Sequence, residues 1–157
     1  MSQPTTASRS IDIAAPPEVV YDLVSDVTRT GEWSPECRSA EWIDEPGQVG
    51  SRFKGHNRSG PARWTTTAKV LRADRPHTFA FATLFKDGDS TRWTYELASN
   101  GDGSRLTESF ESVDAPLFIK LAERFIVRNR QEQLEQGIDQ TLAKIKAIAE
   151  GTAERTT

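Results

Sequence analysis

The sequence predicts an α+β fold in which a curved antiparallel sheet wraps around a long C-terminal helix. Three observations indicate this fold. Residues 37–110 form short alternating segments separated by turn residues, residues 117–150 are rich in helix-forming residues and contain no proline, and the apolar positions of the strands fall on one face. A sheet that is apolar on one face needs a covering element, and the final helix can supply it.

Two short helices are predicted between the first strand and the rest of the sheet. Residues 9–13 alternate and predict a strand. The sequence Pro-Pro-Glu at 16–18 then predicts a helix start, because proline is tolerated in a first turn and glutamate suits the helix dipole there. The segment 28–35 surrounds Trp33 with glycine and proline, which indicates a short second helix that ends in a loop.

Five turn sequences divide residues 37–110 into six further strands, which makes seven in all. The turns lie at 45–47, 59–61, 74–76, 86–89 and 100–103. Alternation then assigns the inward face of the central strands. These inward rows are unusually aromatic, and they comprise Trp64, Thr66, Ala68 and Val70; Phe79, Phe81, Thr83 and Phe85; and Trp93, Tyr95 and Leu97.

The final helix has two apolar stripes that are rotated relative to each other. One stripe lies within 118–125 and the other within 134–149, and the residues between them are mostly polar. A kink near Gly137 and a break near Phe125 both fit this pattern. Contact with the sheet should be poorest at the polar interruption, so a cavity is predicted there. The alternative is an aromatic core that fills the same space.

Composition and length predict one domain, at 8–150, between flexible termini at 1–7 and 151–157. The net charge of −3 argues against nucleic acid as a partner.

No apolar run is long enough for stable membrane insertion and no leader pattern opens the chain, so a cytoplasmic location is expected. One cysteine and two histidines predict no disulfide, metal site or other cofactor. Both a monomer and a homodimer remain open.

Several stretches resemble a known family. These are Trp33-Ser34-Pro35-Glu36, Gly50 to Gly60, Arg63 to Thr67, Trp93 to Leu97, and Leu106 to Ser109. They are similar to small, single-domain, polyketide cyclase/dehydrase-like proteins of actinobacterial type in the SRPBCC superfamily, which also includes START lipid-binding domains. The resemblance covers about 8–150 and implies a helix-grip fold. It leaves the activity open, because members of the superfamily bind, carry, sense or transform different ligands.

Glu108 is the first candidate for chemistry. Alternation places it on the inward face with Leu106 and Phe110, where a carboxylate needs a partner or a proton. Pairing with Arg130, or orienting a polar group of a ligand, is favoured over acid–base catalysis. The two histidines, His56 and His77, are both expected at the surface.

The remaining candidate ligand-binding residues are predicted to line the cavity. Each also has a purely structural alternative. The aromatic residues can pack against the helix, Asn57 can hydrogen-bond the turn backbone, and Asn129 and Gln133 can face solvent. Trp33 can either close the pocket mouth or pack the short helix on the sheet. With Glu108, the candidates are Trp33, Phe53, Asn57, Trp64, Thr66, Phe81, Trp93, Tyr95, Phe110, Asn129, Arg130 and Gln133.

Binding of a small hydrophobic or amphipathic ligand, lipid-like or polyketide-like, is therefore the first functional hypothesis. The alternative is a cyclase or dehydratase that uses Glu108 as acid or base on a polyketide-like substrate. A protein-interaction module is a third class, and no feature of the sequence supports it directly.

Overall fold

Seven antiparallel strands form one sheet, with the order β1-β7-β6-β5-β4-β3-β2. The computed structural model describes residues 6–85, 88–112 and 117–155, and at 117–131, 133 and 155 it describes the backbone only. The strands are β1 Thr6–Ile13, β2 Cys37–Trp42, β3 Arg52–Ser59, β4 Ala62–Asp74, β5 Thr78–Phe85, β6 Gly88–Asn100 and β7 Gly103–Ser112. The predicted six-strand meander is confirmed, and β1 closes the sheet by pairing with β7.

Within the described residues, three helices accompany the sheet: α1 at Pro17–Val24, a 3₁₀ helix at Val27–Glu32 and α2 at Leu117–Arg155. The predicted pair of short helices and the long C-terminal helix are thus confirmed. Helix α1 buries Val20, Tyr21, Leu23 and Val24 against the sheet. The second half of α2 buries Ile138, Leu142, Ile145 and Ala149, which recur at helical spacing.

Polar contacts fix the second half of α2 against β1 and the turn after it. The guanidinium of Arg9 donates to the carboxylate of Asp139, with an Nε to Oδ1 distance of 2.9 Å. Lys146 donates from Nζ to the backbone carbonyl of Asp12 at 2.8 Å, and the backbone N–H of Ala14 donates to Glu150 at 2.8 Å. These contacts hold the helix along the first strand.

Both ends of the domain differ from the sequence prediction. Strand β1 begins at Thr6 and α2 continues to Arg155, so regular secondary structure extends beyond the predicted bounds of 8 and 150. The flexibility of the termini stays a prediction. The extra helical turn is supported because the Thr152 hydroxyl donates to the carbonyl of Ile148 and Ala153 packs against the core. Helix α2 is continuous, so the break considered near residue 125 does not occur.

Candidate functional site

Burial of the inward-facing side chains decreases along the central strands toward one end of the sheet. On β4, exposure rises from 1% at Val70 to 40% at Trp64, and on β5 it rises from 0% at Phe79 to 47% at Phe85. The strands are antiparallel and Ala68 pairs with Thr83, so both exposed ends lie at the same end of the sheet. The concave surface is therefore sealed at one end and less covered at the other.

Aromatic side chains extend across this concave surface. The ring centroids of Trp42 and Phe53 are 5.5 Å apart, those of Phe53 and Phe81 are 5.2 Å apart, and those of Trp93 and Phe110 are 4.9 Å apart. Phe53 and Phe110 are buried, whereas Phe81 and Trp93 are only half-buried. Half-buried rings beside a packed aromatic row offer apolar surface that a ligand could cover.

A buried hydrogen-bonded network lies at the sealed side of this surface. The register of β6 and β7 makes Tyr95 and Glu108 direct cross-strand partners, and their side chains share a hydrogen bond. The hydroxyl of Tyr95 also hydrogen-bonds the indole of Trp33, whose N–H can only donate. All three side chains are buried, with exposures of 3% for Trp33, 7% for Tyr95 and 2% for Glu108.

Burial has the largest effect on the pKa values of Glu108 and Tyr95. It raises the pKa of Glu108 to about 7, because an ionised carboxylate is poorly solvated there, and the hydrogen bond from Tyr95 acts in the opposite direction. Burial and the neighbouring Glu108 raise the pKa of Tyr95 well above its ordinary value. Glu108 can therefore gain or lose a proton near neutral pH, while Tyr95 stays protonated as a donor.

Asn57 and Thr66 form a second polar contact, nearer to the less covered end. The Asn57 side-chain amide donates to the Thr66 hydroxyl at 2.9 Å, and both side chains are half-buried. Asn57 therefore bonds a neighbouring side chain and not the turn backbone that was considered as its alternative. This contact leaves the Asn57 carbonyl oxygen available as an acceptor near the concave surface.

Residues 4–150 match the sequence profile of a family described as polyketide cyclase/dehydrase and lipid transport. The chain belongs to this family. The resemblance found in the sequence is thus confirmed, and the helix-grip architecture agrees with it. No curated protein is significantly similar in sequence.

Three solved structures illustrate the likeness of this member of the polyketide cyclase/dehydrase and lipid transport family to other proteins. The Polyketide_cyc-like protein Cgl2372 from Corynebacterium glutamicum is 33% identical, with a TM-score of 0.70 and coverage of 99% of this chain and 97% of that one. CV1439 from Chromobacterium violaceum is 20% identical, with a TM-score of 0.68 and coverage of 94% and 99%. Ara h 8.0201 is 18% identical, with a TM-score of 0.63 and coverage of 93% and 97%. The last two show likeness of fold alone.

The structure brings most of the predicted site residues of this family member to one concave surface. Trp64, near the start of β4, lies at the rim of this surface with 40% of its side chain exposed, and its contact with a ligand stays a prediction. Trp33 is buried and hydrogen-bonded to Tyr95, which agrees with the alternative that it packs the short helix on the sheet. Its contact with a ligand stays a prediction. The side chains of Asn129, Arg130 and Gln133 fall outside the described ones.

Two of the depressions on the described surface include none of Trp93, Tyr95 and Glu108. One has a volume of about 610 Å³ beside the β3–β4 turn, and the other has a volume of about 400 Å³ beside the start of β1. The cavity predicted from the sequence would have its helical wall at the polar interruption, 126–133, where Glu132 alone has a described side chain. That cavity stays a prediction.

The described residues hold no group of three or more His, Cys, Asp or Glu side chains placed to bind a metal ion. Within that same part of the chain, no helix is both long enough and apolar enough to cross a membrane. The expected cytoplasmic location stays a prediction.

Proposed function

We propose that the protein binds a small hydrophobic or amphipathic ligand, lipid-like or polyketide-like, between the concave face of the sheet and α2. The observation that carries the proposal is the loss of burial along β4 and β5, from 1% at Val70 to 40% at Trp64 and from 0% at Phe79 to 47% at Phe85. A filled core would bury such inward rows along their whole length. The lipid transport named in the family description is consistent with such a ligand.

The side chains around the less covered end suit an amphipathic molecule. Phe81 and Trp93 are half-buried and offer ring faces to an apolar body, while Asn57 and Thr66 offer polar groups beside them. Glu108 lies one cross-strand row deeper than Trp93 and Phe110. In this arrangement a ligand would stack on the aromatic rows, and its polar end would meet the Asn57 amide or the Glu108 carboxyl.

A second candidate is an enzyme of the cyclase or dehydratase type, and the protonation of Glu108 favours it. A carboxyl with a pKa of about 7 can accept and return a proton at neutral pH, which an ordinary glutamate does poorly. Glu108→Gln separates the two functions. An enzyme would lose turnover while its affinity for the ligand stayed close to that of the wild type, whereas a binding protein would show no turnover in either form.

Native mass spectrometry of the protein purified from its own host tests ligand binding directly. We expect a small molecule to accompany the folded protein and to be released on denaturation. Titration of ligand-free protein with long-chain fatty acids and with a flat polycyclic aromatic compound, followed by tryptophan fluorescence, then identifies the ligand class. Absence of both a copurified molecule and a saturable titration would overturn the proposal.

Filling the predicted cavity should weaken binding. Thr66→Phe adds a ring on the inward, half-buried face of β4, and we expect it to lower ligand affinity by roughly tenfold or more because it occupies the ligand's space. The matched control is Thr67→Phe, one residue away on the opposite face of β4, where the side chain is also half-buried. Both affinities are measured by the same fluorescence titration. Equal affinities for the two variants would contradict a ligand on the concave side.

A further inference from the structure

Three arginines differ from the other described arginines in having no carboxylate partner. Ten arginines have described side chains, and in that set Arg38, Arg58 and Arg63 form no ion pair. All three line the depression of about 610 Å³ beside the β3–β4 turn. The seven arginines that pair with Asp or Glu are Arg9, Arg29, Arg52, Arg72, Arg75, Arg92 and Arg105.

Two of these arginines lie where their positive charges repel each other when no ligand is bound. Arg58 and Arg63 are direct cross-strand partners on β3 and β4, and like charges in that position repel each other. Arg58 donates from Nε to the backbone carbonyl of Gly60 at 3.2 Å, which is a neutral acceptor. An anion between the two guanidinium groups would remove the repulsion.

The surrounding acids do not neutralise this cluster. Glu41 accepts from the ring of His56, with an Nε2 to Oε1 distance of 3.1 Å. Glu36 contributes its backbone carbonyl, which accepts from the N–H of Arg58 at 2.9 Å, and in the described part of the chain its carboxylate forms no ion pair with these arginines. Residues 51–73 contain six lysines and arginines and no acid, although the whole chain has a net charge of −3. The depression is therefore a local positive site on an anionic protein.

An apolar side chain completes the depression. The indole of Trp64 lines it and is 40% exposed, which is unusual for so large a ring. Arginine binds phosphate through two parallel N–H groups, and exposed tryptophan suits a molecule that joins a polar head to an apolar body. The lining thus combines several phosphate donors with one apolar surface.

We propose that the depression formed by Arg38, Arg58, Arg63 and Trp64 is a binding site for the phosphate group of an amphipathic phosphate ester. Arg58 and Arg63 lie on the outer face of the sheet, whereas Trp64 and Asn57, which also line the depression, lie on the inward face. The depression is therefore at the rim beside the concave surface, and its phosphate donors Arg58 and Arg63 are not among the residues proposed to hold the concave ligand. The phosphate belongs either to a lipid headgroup at a membrane surface or to a soluble molecule. Both sources present the same chemistry to the three arginines.

Three probes test the site and distinguish the sources: glycerol 3-phosphate, a short-chain phosphatidic acid below its micelle concentration, and vesicles of phosphatidylglycerol compared with vesicles of phosphatidylcholine. Calorimetry measures the soluble probes, and cosedimentation measures the vesicles. We expect at least one phosphate probe to bind, with affinity falling as salt rises and falling roughly tenfold in the Arg58→Gln, Arg63→Gln double variant. Binding of phosphatidylglycerol vesicles without binding of soluble esters would identify the membrane as the source, and the reverse would identify a soluble ligand.

The matched control is the Arg75→Gln, Arg105→Gln double variant, which removes the same charge from two ion-paired arginines. It should bind the phosphate probes as the wild type does.

Trp64→Ala should weaken binding of phosphatidic acid but leave that of glycerol 3-phosphate unchanged. Equal losses in the two arginine variants, or no binding of any phosphate probe to the wild type, would overturn the proposal. Thermal unfolding of the Arg58→Gln, Arg63→Gln variant verifies that its weaker binding is not due to unfolding.

Discussion

Replacing Glu108 by glutamine should stabilise the protein by about 3 kcal/mol at about pH 8 and by less than about 1 kcal/mol near pH 5. The folded state raises the pKa of Glu108 from 4.5 to about 7 through burial. Between these two values the folded protein holds a proton that the unfolded chain releases. Stability therefore falls as pH rises through this window, and at higher pH the folded state carries a buried charge that glutamine avoids.

Denaturant unfolding of the wild type and of Glu108→Gln, each at about pH 5 and about pH 8, measures this difference. Glutamine keeps the shape of the side chain and an oxygen that can accept from Tyr95. The control is Glu96→Gln, since Glu96 lies on the exposed face of β6, and this variant should keep the pH dependence of the wild type.

A loss of stability in Glu108→Gln at about pH 8 would contradict this account. It would mean that the ionised carboxylate is held by a cation, as the pairing with Arg130 predicted from the sequence would require. A buried ion pair that loses one partner is strongly destabilised, so the sign of the change separates the two arrangements.

Alternation along the strands was sufficient to place Glu108 and Tyr95 on the inward face, because a period of two fixes the face whatever the register. It did not predict that the two side chains meet. That contact depends on the pairing of Tyr95 with Glu108 across β6 and β7, which follows from the turn at 101–102 and the register it sets. The sequence therefore predicted the candidates but not the hydrogen bond that joins them.

Alternation also could not predict how strongly each inward-facing residue of a strand is buried. Trp64 and Val70 share a face of β4, yet their exposures are 40% and 1%, because alternation fixes the face of a residue but not how much of it is covered. For Trp33 the sequence could not decide between its two interpretations. It follows a 3₁₀ helix with little periodicity, so nothing in the local sequence indicates whether its indole turns inward to Tyr95.

The protonation of Glu108 links the stability of the fold to its proposed function. A leucine or methionine at this position would bury apolar surface without the cost of a carboxyl group. The chain instead keeps a buried acid, supports it with a tyrosine and a tryptophan, and places it next to the aromatic row that a ligand would cover. Buried acids with shifted pKa values are typical of functional sites. Proteins keep such residues there although an apolar residue would make the fold more stable.

Tyr95→Phe should destabilise the protein by about 2–4 kcal/mol at about pH 8, and by less near pH 5. The change removes the hydroxyl that bonds both Glu108 and Trp33, so two buried polar groups lose a partner, at about 1–3 kcal/mol each. The loss is larger at high pH because the hydrogen bond lowers the pKa of Glu108, so its removal makes the ionised form still less favourable. Tyr21→Phe, at a buried tyrosine of α1 that packs edge-on against Phe79, is the control and should have a smaller effect.

A double-mutant cycle between Tyr95→Phe and Glu108→Gln isolates the contact between the two side chains. We expect the pH-dependent part of the Tyr95→Phe effect to disappear in the Glu108→Gln background, because no group at position 108 can then ionise. The pH-independent part should remain, since the indole N–H of Trp33 loses the same acceptor in either background. If the pH dependence persisted without Glu108, another titrating group would have to face Tyr95, and Glu108 could not be the acid that tunes this site.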